Sequence, residues 1–530
     1  MRLQKIKSLA RTRGEKPWVF AMVWLTTIAI FGYHLNENLA YPWFGNPDQD
    51  LVFLRDGLRL SQLKAPLYSD HPGLAQMTLG ALAHLFYDKG GIALGDKDWQ
   101  NIYNAHKIIN AFAMATILAC CCEALGKLID KLNATVVGLC CALSMGSTSL
   151  VYQLRNEFFS AYLFFLGSLI ICLLIKERCG QAKNLDIQKP IRVLAPAACA
   201  MLYLMALLAK IQVIPLMALF CLGLGLWGIS ASGYQAKPVL NALKTSTLFS
   251  AFCTGPLFLS GVKAGSLTQA WMIILLTLFP IQLACTGFET QEKIRQANVR
   301  RSLLAYVTCL TTYTVIVRAF HWETVSWNPW GINKYTFPVT GEAATSTLSL
   351  WQRATDGYLL LFERTFDGQL IAISLSIILP VLIAIKAAYA FAKQKDSEKK
   401  KINFVESEIV GCYLFICASV MACVASLRWP VDHYLSYQQP ILYLVIALMI
   451  KPQKPIFFRS LSLYALASAT IISIKYPTYS YSTYVKISEP VIHTKSAASD
   501  QSPSYNPGLC EPQHAGHEWK GSVVGKACSY

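Results

Sequence analysis

Two carboxylates spaced i, i+2 open the chemistry of this chain, in Pro47-Asp48-Gln49-Asp50 just past its first apolar run. Such a pair can supply a general base, or hold a divalent cation through hard oxygen ligands. It can equally be a solvated turn, with an Asp capping a helix that begins Leu51-Val52-Phe53-Leu54. Twenty residues on lies Tyr68-Ser69-Asp70-His71-Pro72-Gly73. Ser69 or Asp70 there can cap a following helix that carries proline near its first turn. His71 can donate or accept a hydrogen bond near neutral pH. A third cluster is Leu207-Leu208-Ala209-Lys210-Ile211-Gln212, where a lysine among hydrophobes must either snorkel or meet an anion, a phosphate being a natural one. The fourth is Arg428-Trp429-Pro430-Val431-Asp432-His433-Tyr434. Arg428 and His433 can bracket a phosphate, and Asp432 can orient His433 or pair with Arg428.

The elements that must position these groups are membrane helices. Of 530 residues, 54% are hydrophobic and 15% charged, and the mean hydropathy is +0.39. A soluble chain would carry roughly a quarter charged residues. Apolar runs long enough to cross a bilayer recur, with Trp and Tyr at their ends. They predict spans at 18–36, 105–126, 133–151, 157–175, 191–208, 211–230, 243–262, 269–287, 302–320, 369–390, 406–426, 434–450 and 458–474. The first run is too long for a signal-peptide core and lacks a small-residue cleavage site, so it reads as a retained span.

The net charge of +17 follows topology and argues against a nucleic-acid partner. A basic N-terminus, 1–17, is expected in the cytoplasm. Alternate loops are then basic throughout, from Lys127 and Lys131 to Lys451, Lys454 and Arg459. The first outer loop, 37–103, holds more acidic than basic residues. This orientation puts 37–103, the aromatic-rich 321–368 and the tail 475–530 outside, with 18–474 as the transmembrane domain. All four polar clusters then fall on one face, periplasmic or luminal. An amphipathic helix is expected after Gly73, through Leu74, Met77, Leu79, Leu82, Leu85 and Phe86.

Fifteen of the seventeen cysteines lie in or beside apolar runs, where cysteine serves as a small hydrophobe. Their spacing matches no metal site. Cys510 and Cys528 sit in the polar tail, and a disulfide between them is expected if that tail is outside the cytoplasm.

In order and context these segments resemble the lipid-dependent glycosyltransferases of the GT-C class, which includes protein O-mannosyltransferases and aminoarabinose transferases. The resemblance lies in the acidic Asn46-Pro47-Asp48-Gln49-Asp50-Leu51 after a first span and in the stretch LRDGLRL…PLYSDHPGL with its His-Pro-Gly. It continues in the mid-chain lysine segment LLAKIQVIP and the late RWPVDHYLSYQQP. Ala209 stands where such lysine segments often have Thr. The resemblance implies an all-α bundle of about 11–13 transmembrane helices, with short amphipathic helices in its outer loops. It also implies inverting transfer of a sugar from a polyprenyl-phosphate donor to a lipid, glycan or protein acceptor. Asp48 is then the base with Asp50 as partner or substitute; Lys210, Arg428 and His433 bind the donor phosphate; Asp70, His71, Asp432 and Tyr434 contact substrate. The resemblance implies a lipid-phosphate sugar as substrate and assigns no cofactor; members of the class differ on dependence on a divalent metal. Two other classes fit the same sequence: an envelope polysaccharide polymerase or ligase, and a transporter or flippase. The last predicts charged residues near the middle of several spans.

Overall fold

A computed structural model describes residues 17–39, 50–64, 66, 73–87, 94–178, 189–231, 237–259, 264–286, 304, 307, 311, 349–395, 407–426, 434–449 and 458–475. Within them the chain is helical, and it is a polytopic all-α membrane protein. The helices are α1 (Trp18–Asn38), α2 (Asp50–Ser61), α3 (Leu74–Phe86), α4 (Asp96–Leu128), α5 (Lys131–Leu143), α6 (Met145–Tyr152), α7 (Glu157–Arg178) and α8 (Lys189–Ala209). They continue with α9 (Ile214–Ala231), α10 (Lys237–Leu259), α11 (Ala264–Thr286), α12 (Leu350–Glu363), α13 (Gln369–Lys395), α14 (Ser407–Ser426), α15 (Leu435–Met449) and α16 (458–475).

Five described segments are long and apolar enough to cross a membrane: Trp18–Asn36, Lys97–Leu128, Glu157–Lys176, Gln369–Ala390 and Glu408–Ser426. A sixth is counted if α5 and α6 form one broken span; the expected span 133–151 is this pair, bent by 50°. Ser144 makes the break. Its backbone is extended, and its hydroxyl donates to the Cys141 carbonyl at 2.7 Å, diverting the ladder from a straight helix. The expected span 302–320, but for single helical positions, and residues 321–348 of the expected outer loop 321–368 fall outside the described residues; the rest of that loop carries α12.

One helix is longer than its hydropathy predicts. α4 has 33 residues, or about 50 Å at 1.5 Å each, against roughly 30 Å of hydrocarbon. Counting about 20 residues back from Lys127 reaches roughly position 108. The first third of α4, from Asp96, therefore stands beyond a bilayer-length span.

That protruding third is the post on which the first loop folds. α2 and α3 pack against each other and α3 packs on α4. They share a small apolar core of Val52, Phe53, Leu54, Met77, Ala83, Trp99, Ile102, Tyr103 and Leu154, separate from the main bundle core. α2 and α3 cross where Gly57 meets Gly80; a Cβ on Gly57 would lie 2.8 Å from the Gly80 carbonyl carbon. The His84 imidazole donates from Nε2 to the Leu54 carbonyl at 2.9 Å and stands edge-on to Trp99. The amphipathic helix expected after Gly73 divides its apolar residues. Leu74 and Met77 are buried, whereas Leu82, Leu85 and Phe86 remain exposed.

The main bundle closes end to end. His34, late in α1, meets the Ser473 hydroxyl of α16 at 2.8 Å, which ties the first described helix to the last. The described cysteines are free and mostly buried. Cys121, Cys199 and Cys221 each donate to a carbonyl on a neighbouring helix.

Candidate functional site

The short connector Gln153-Leu154-Arg155-Asn156, between α6 and α7, and Glu157 at the head of α7 gather a set of buried polar groups. The first contact is with Asp50 at the start of α2. Asp50 is 1% exposed. One carboxylate oxygen accepts the Tyr103 hydroxyl at 2.7 Å, and the other accepts the Leu154 backbone N–H at 2.9 Å. Burial pushes the Asp50 carboxyl above its ordinary range. The charge of Lys107, the two hydrogen bonds and the charge of Arg155 act against that rise without cancelling it. Lys107 lies one helical turn beyond Tyr103, and its ammonium is 3.9 Å from the centre of the Tyr103 ring.

The second contact is with α3, the helix that follows the His-Pro-Gly segment. Asn156 accepts the Gln76 backbone N–H at 3.0 Å, satisfying a first-turn donor from outside the helix. The Gln76 side chain donates to Asn110 at 2.8 Å and to the Arg155 carbonyl at 2.9 Å. It accepts from His106 Nε2 at 2.9 Å. Asn110 in turn donates to the Leu150 carbonyl at 3.3 Å. Tyr103, His106, Lys107 and Asn110 recur at helical spacing and are all buried, so one face of α4 is a polar stripe.

The third contact is with the lysine segment. α8 ends at Ala209, and Pro215, near the start of α9, cannot donate to a continuous ladder through this point. The chain breaks into a 3-10 turn over Ile211–Val213, and Lys210 sits in the break. Its ammonium is 3.2 Å from Glu157, with Lys210 3% and Glu157 0% exposed. The Ser160 hydroxyl donates to the Lys210 carbonyl at 2.8 Å. Lys210 therefore does not reach water; it meets a carboxylate that sequence reasoning did not single out.

The fourth contact is with the helix that follows the Arg-Asp-His loop. Tyr434 is half-buried at its head. Ser436, Tyr437, Gln438 and Gln439 are buried, and α15 packs on α6 and α7 on either side of the connector. Gln439 fastens this end of α15, accepting the Gly146 N–H at 2.9 Å and donating to the Arg364 carbonyl at 2.8 Å.

Of the residues expected at the site, Asp50, Lys210 and Tyr434 are described. Asp48, Asp70, His71, Arg428, Asp432, His433, Cys510 and Cys528 lie outside the described residues. Residues that sequence reasoning missed are Glu157, Tyr103, Lys107, Gln76, His106, Asn110 and Asn156. Two signals were there. Arg155-Asn156-Glu157 puts a carboxylate at the head of an apolar span, where an ionised group is costly unless paired. The Tyr-His-Lys-Asn stripe has a 3.6-residue period. No group of three or more metal-ligating side chains occurs among the described residues.

No family model and no curated protein matches the chain. Among solved structures, the Archaeoglobus fulgidus oligosaccharyltransferase in the apo form is similar at 11% identity and a TM-score of 0.43. The archaeal oligosaccharyltransferase AglB from Archaeoglobus fulgidus, in complex with an inhibitory peptide and a dolichol-phosphate, is similar at 12% and 0.42. Each likeness covers 87% of this chain and 56% of the other, so the chain spans just over half the length of those proteins. At these values the functional reading stands on the side chains.

Proposed function

We propose that this protein is a GT-C-type glycosyltransferase, moving a sugar from a lipid-phosphate carrier to an acceptor at the non-cytoplasmic membrane face. One observation carries the reading. Asp50, Lys210 and the helix that follows the His-Pro-Gly segment all meet residues 154–157, through Asp50, Gln76 and Lys210, and α15, which follows the Arg-Asp-His segment, packs on α7 at the same connector. A scattered set of interfacial anchors has no reason to share neighbours.

In this reading a polyprenyl donor leaves its tail in lipid and carries its phosphosugar to the cluster. Asp48, two residues ahead of the anchored Asp50, takes the acceptor proton. Asp50 is its partner: both oxygens already accept hydrogen bonds, which suits holding the acidic segment in place. The departing phosphate gains negative charge and is stabilised by cations preorganised around it. Arg428 and His433 supply the larger share, because Lys210 already balances Glu157. Asp70, His71, Asp432 and Tyr434 frame the sugar and acceptor. Lys107 bears on the transporter alternative. It lies just past the first third of α4, one turn beyond Tyr103, which shares a core with α2 and α3, rather than near the middle of the span.

Polyprenyl phosphate is the probe for the donor site. In native mass spectrometry of the purified protein, Arg428→Gln with His433→Gln is expected to weaken its retention about tenfold or more, the loss of one to two charge-assisted contacts. Retention equal to wild type would contradict the assignment.

A further inference from the structure

We propose that Lys107 is a positioning residue for Asp50, its ammonium and the Tyr103 ring forming with Asp50 a three-part clasp that fixes the Asp50 carboxylate and the head of α2. This deepens the transferase reading and rests on it for the role of the segment, but the clasp is testable without turnover.

The clasp is built from one face of one helix. Tyr103 and Lys107 are four residues apart on α4, so they project side by side. Tyr103 turns its hydroxyl to Asp50 at 2.7 Å and its ring face to the Lys107 ammonium, 3.9 Å from the centroid. Asp50, Tyr103 and Lys107 are each 1% exposed. An ionised carboxylate taken out of water needs compensation. Here each oxygen accepts one donor, from Tyr103 and from the Leu154 N–H. Two cations act on the carboxylate, Lys107 more strongly than Arg155. Arg155 also donates to Gln153 at 2.6 Å. On α2 itself, Arg55 and Asp56 form their own ion pair at 3.1 Å. From α3, the His84 imidazole is spent on the Leu54 carbonyl. Lys107 is the cation set on the face of the ring whose hydroxyl holds Asp50, a contact an ammonium makes as a compact point charge.

The consequence is a division of labour within the acidic pair. Asp50 is held by α4 through Tyr103 and by the connector through Leu154. Removing the Lys107 charge should let Asp50 take up a proton and should loosen the entry to α2.

The test uses the full-length protein in detergent or nanodiscs. Infrared difference spectra are taken at neutral pH against Asp50→Asn, which isolates the Asp50 signal. Wild type is expected to show the carboxylate stretch. Lys107→Met is expected to convert it to the carbonyl stretch of a protonated acid and to lower the melting temperature, and Lys107→Arg to restore the carboxylate signal at least in part. Should Lys107→Met not fold, Lys107→Met/Asp50→Asn is expected to recover a folded protein, since it removes the buried charge together with its partner. An unchanged Asp50 signal in Lys107→Met overturns the proposal. So does a conversion produced by Arg155→Gln in place of Lys107→Met, or a double variant no more stable than Lys107→Met alone. None of these readouts requires sugar transfer, so the clasp can fail while the transferase reading stands, and the reverse.

Discussion

At the scale of single residues, the ion pair between Lys210 and Glu157 is the most exacting feature of the cluster. Two opposite charges, 3.2 Å apart and almost completely buried, have paid their desolvation jointly, so breaking the pair costs more than removing it. Lys210→Met is expected to destabilise the protein by about 3–5 kcal/mol, because it strands the Glu157 carboxylate. Lys210→Met/Glu157→Gln is expected to recover most of that loss in denaturant melts of the detergent-solubilised protein. Equal losses in the single and double variants would mean that the pair is not coupled. Lys210 was legible in the sequence because it interrupts an apolar run just where a proline follows. Its partner was harder to see. Glu157 follows Arg155 in a short polar stretch, and nothing in a linear reading says which of several cations it faces. Lys107 was hidden for another reason. An apolar run drawn from position 105 makes it an edge residue, while the helix begins at Asp96. Only the earlier start sets Tyr103 and Lys107 on one face.

At the scale of elements, α2 and α3 form a small subassembly whose stability differs in kind from that of the bundle. Its core is nine buried side chains shared with the protruding part of α4 and with Leu154. A buried imidazole fastens α3 to α2. Burial lowers the His84 pKa to about 4, with the hydrogen bond to the Leu54 carbonyl acting the other way. The folded state thus binds this proton more weakly than the unfolded chain does, at its ordinary value of about 6.5. The stabilisation is therefore complete above roughly pH 6.5 and is lost as pH falls through about 4, at most about 3 kcal/mol for this group. The wild-type melting temperature is expected to fall more steeply between pH 6.5 and 4 than that of His84→Gln, whose amide can still donate to Leu54. Parallel slopes would show that His84 does not carry the effect. Much of this subassembly was legible. The Asp70-His71-Pro72-Gly73 turn ahead of an apolar repeat marks α3, and Asp50 ahead of Leu51-Val52-Phe53-Leu54 marks α2. What the pattern alone did not show is the division of the α3 face. Leu74 and Met77 turn inward while Leu82, Leu85 and Phe86 stay exposed, because the face carrying Met77, Gly80 and His84 meets α2 and its neighbours and Leu82, Leu85 and Phe86 project away from it.

At the scale of the whole molecule, the account is a set of membrane helices with its polar groups collected where α2, α3, the head of α4, the tail of α8 and the head of α15 approach residues 153–157. Composition was enough for the class, and loop charge for an expected orientation. Convergence needed the third dimension, since the connector and the head of α7 join residues as distant in sequence as Asp50 and Lys210. The orientation makes a direct prediction. A protease-sensitive tag on the N-terminus should be protected in right-side-out vesicles and cut in inverted ones, and a tag within 475–530 should behave oppositely. The same accessibility for both tags would undo the placement of the cluster outside the cytoplasm.

The central claim is that the acidic segment carries out the transfer. Cells deleted for this gene and complemented with wild type, Asp48→Asn, Asp50→Asn or both should be compared by mass spectrometry of their glycans, glycolipids and glycoproteins at matched protein levels in the membrane. Asp48→Asn is expected to lower the sugar-modified product by about a hundredfold or more, within the range for removing a general base. Asp50→Asn is expected to have a smaller effect, and the double variant to match Asp48→Asn. Product profiles in all three variants indistinguishable from wild type would contradict the account.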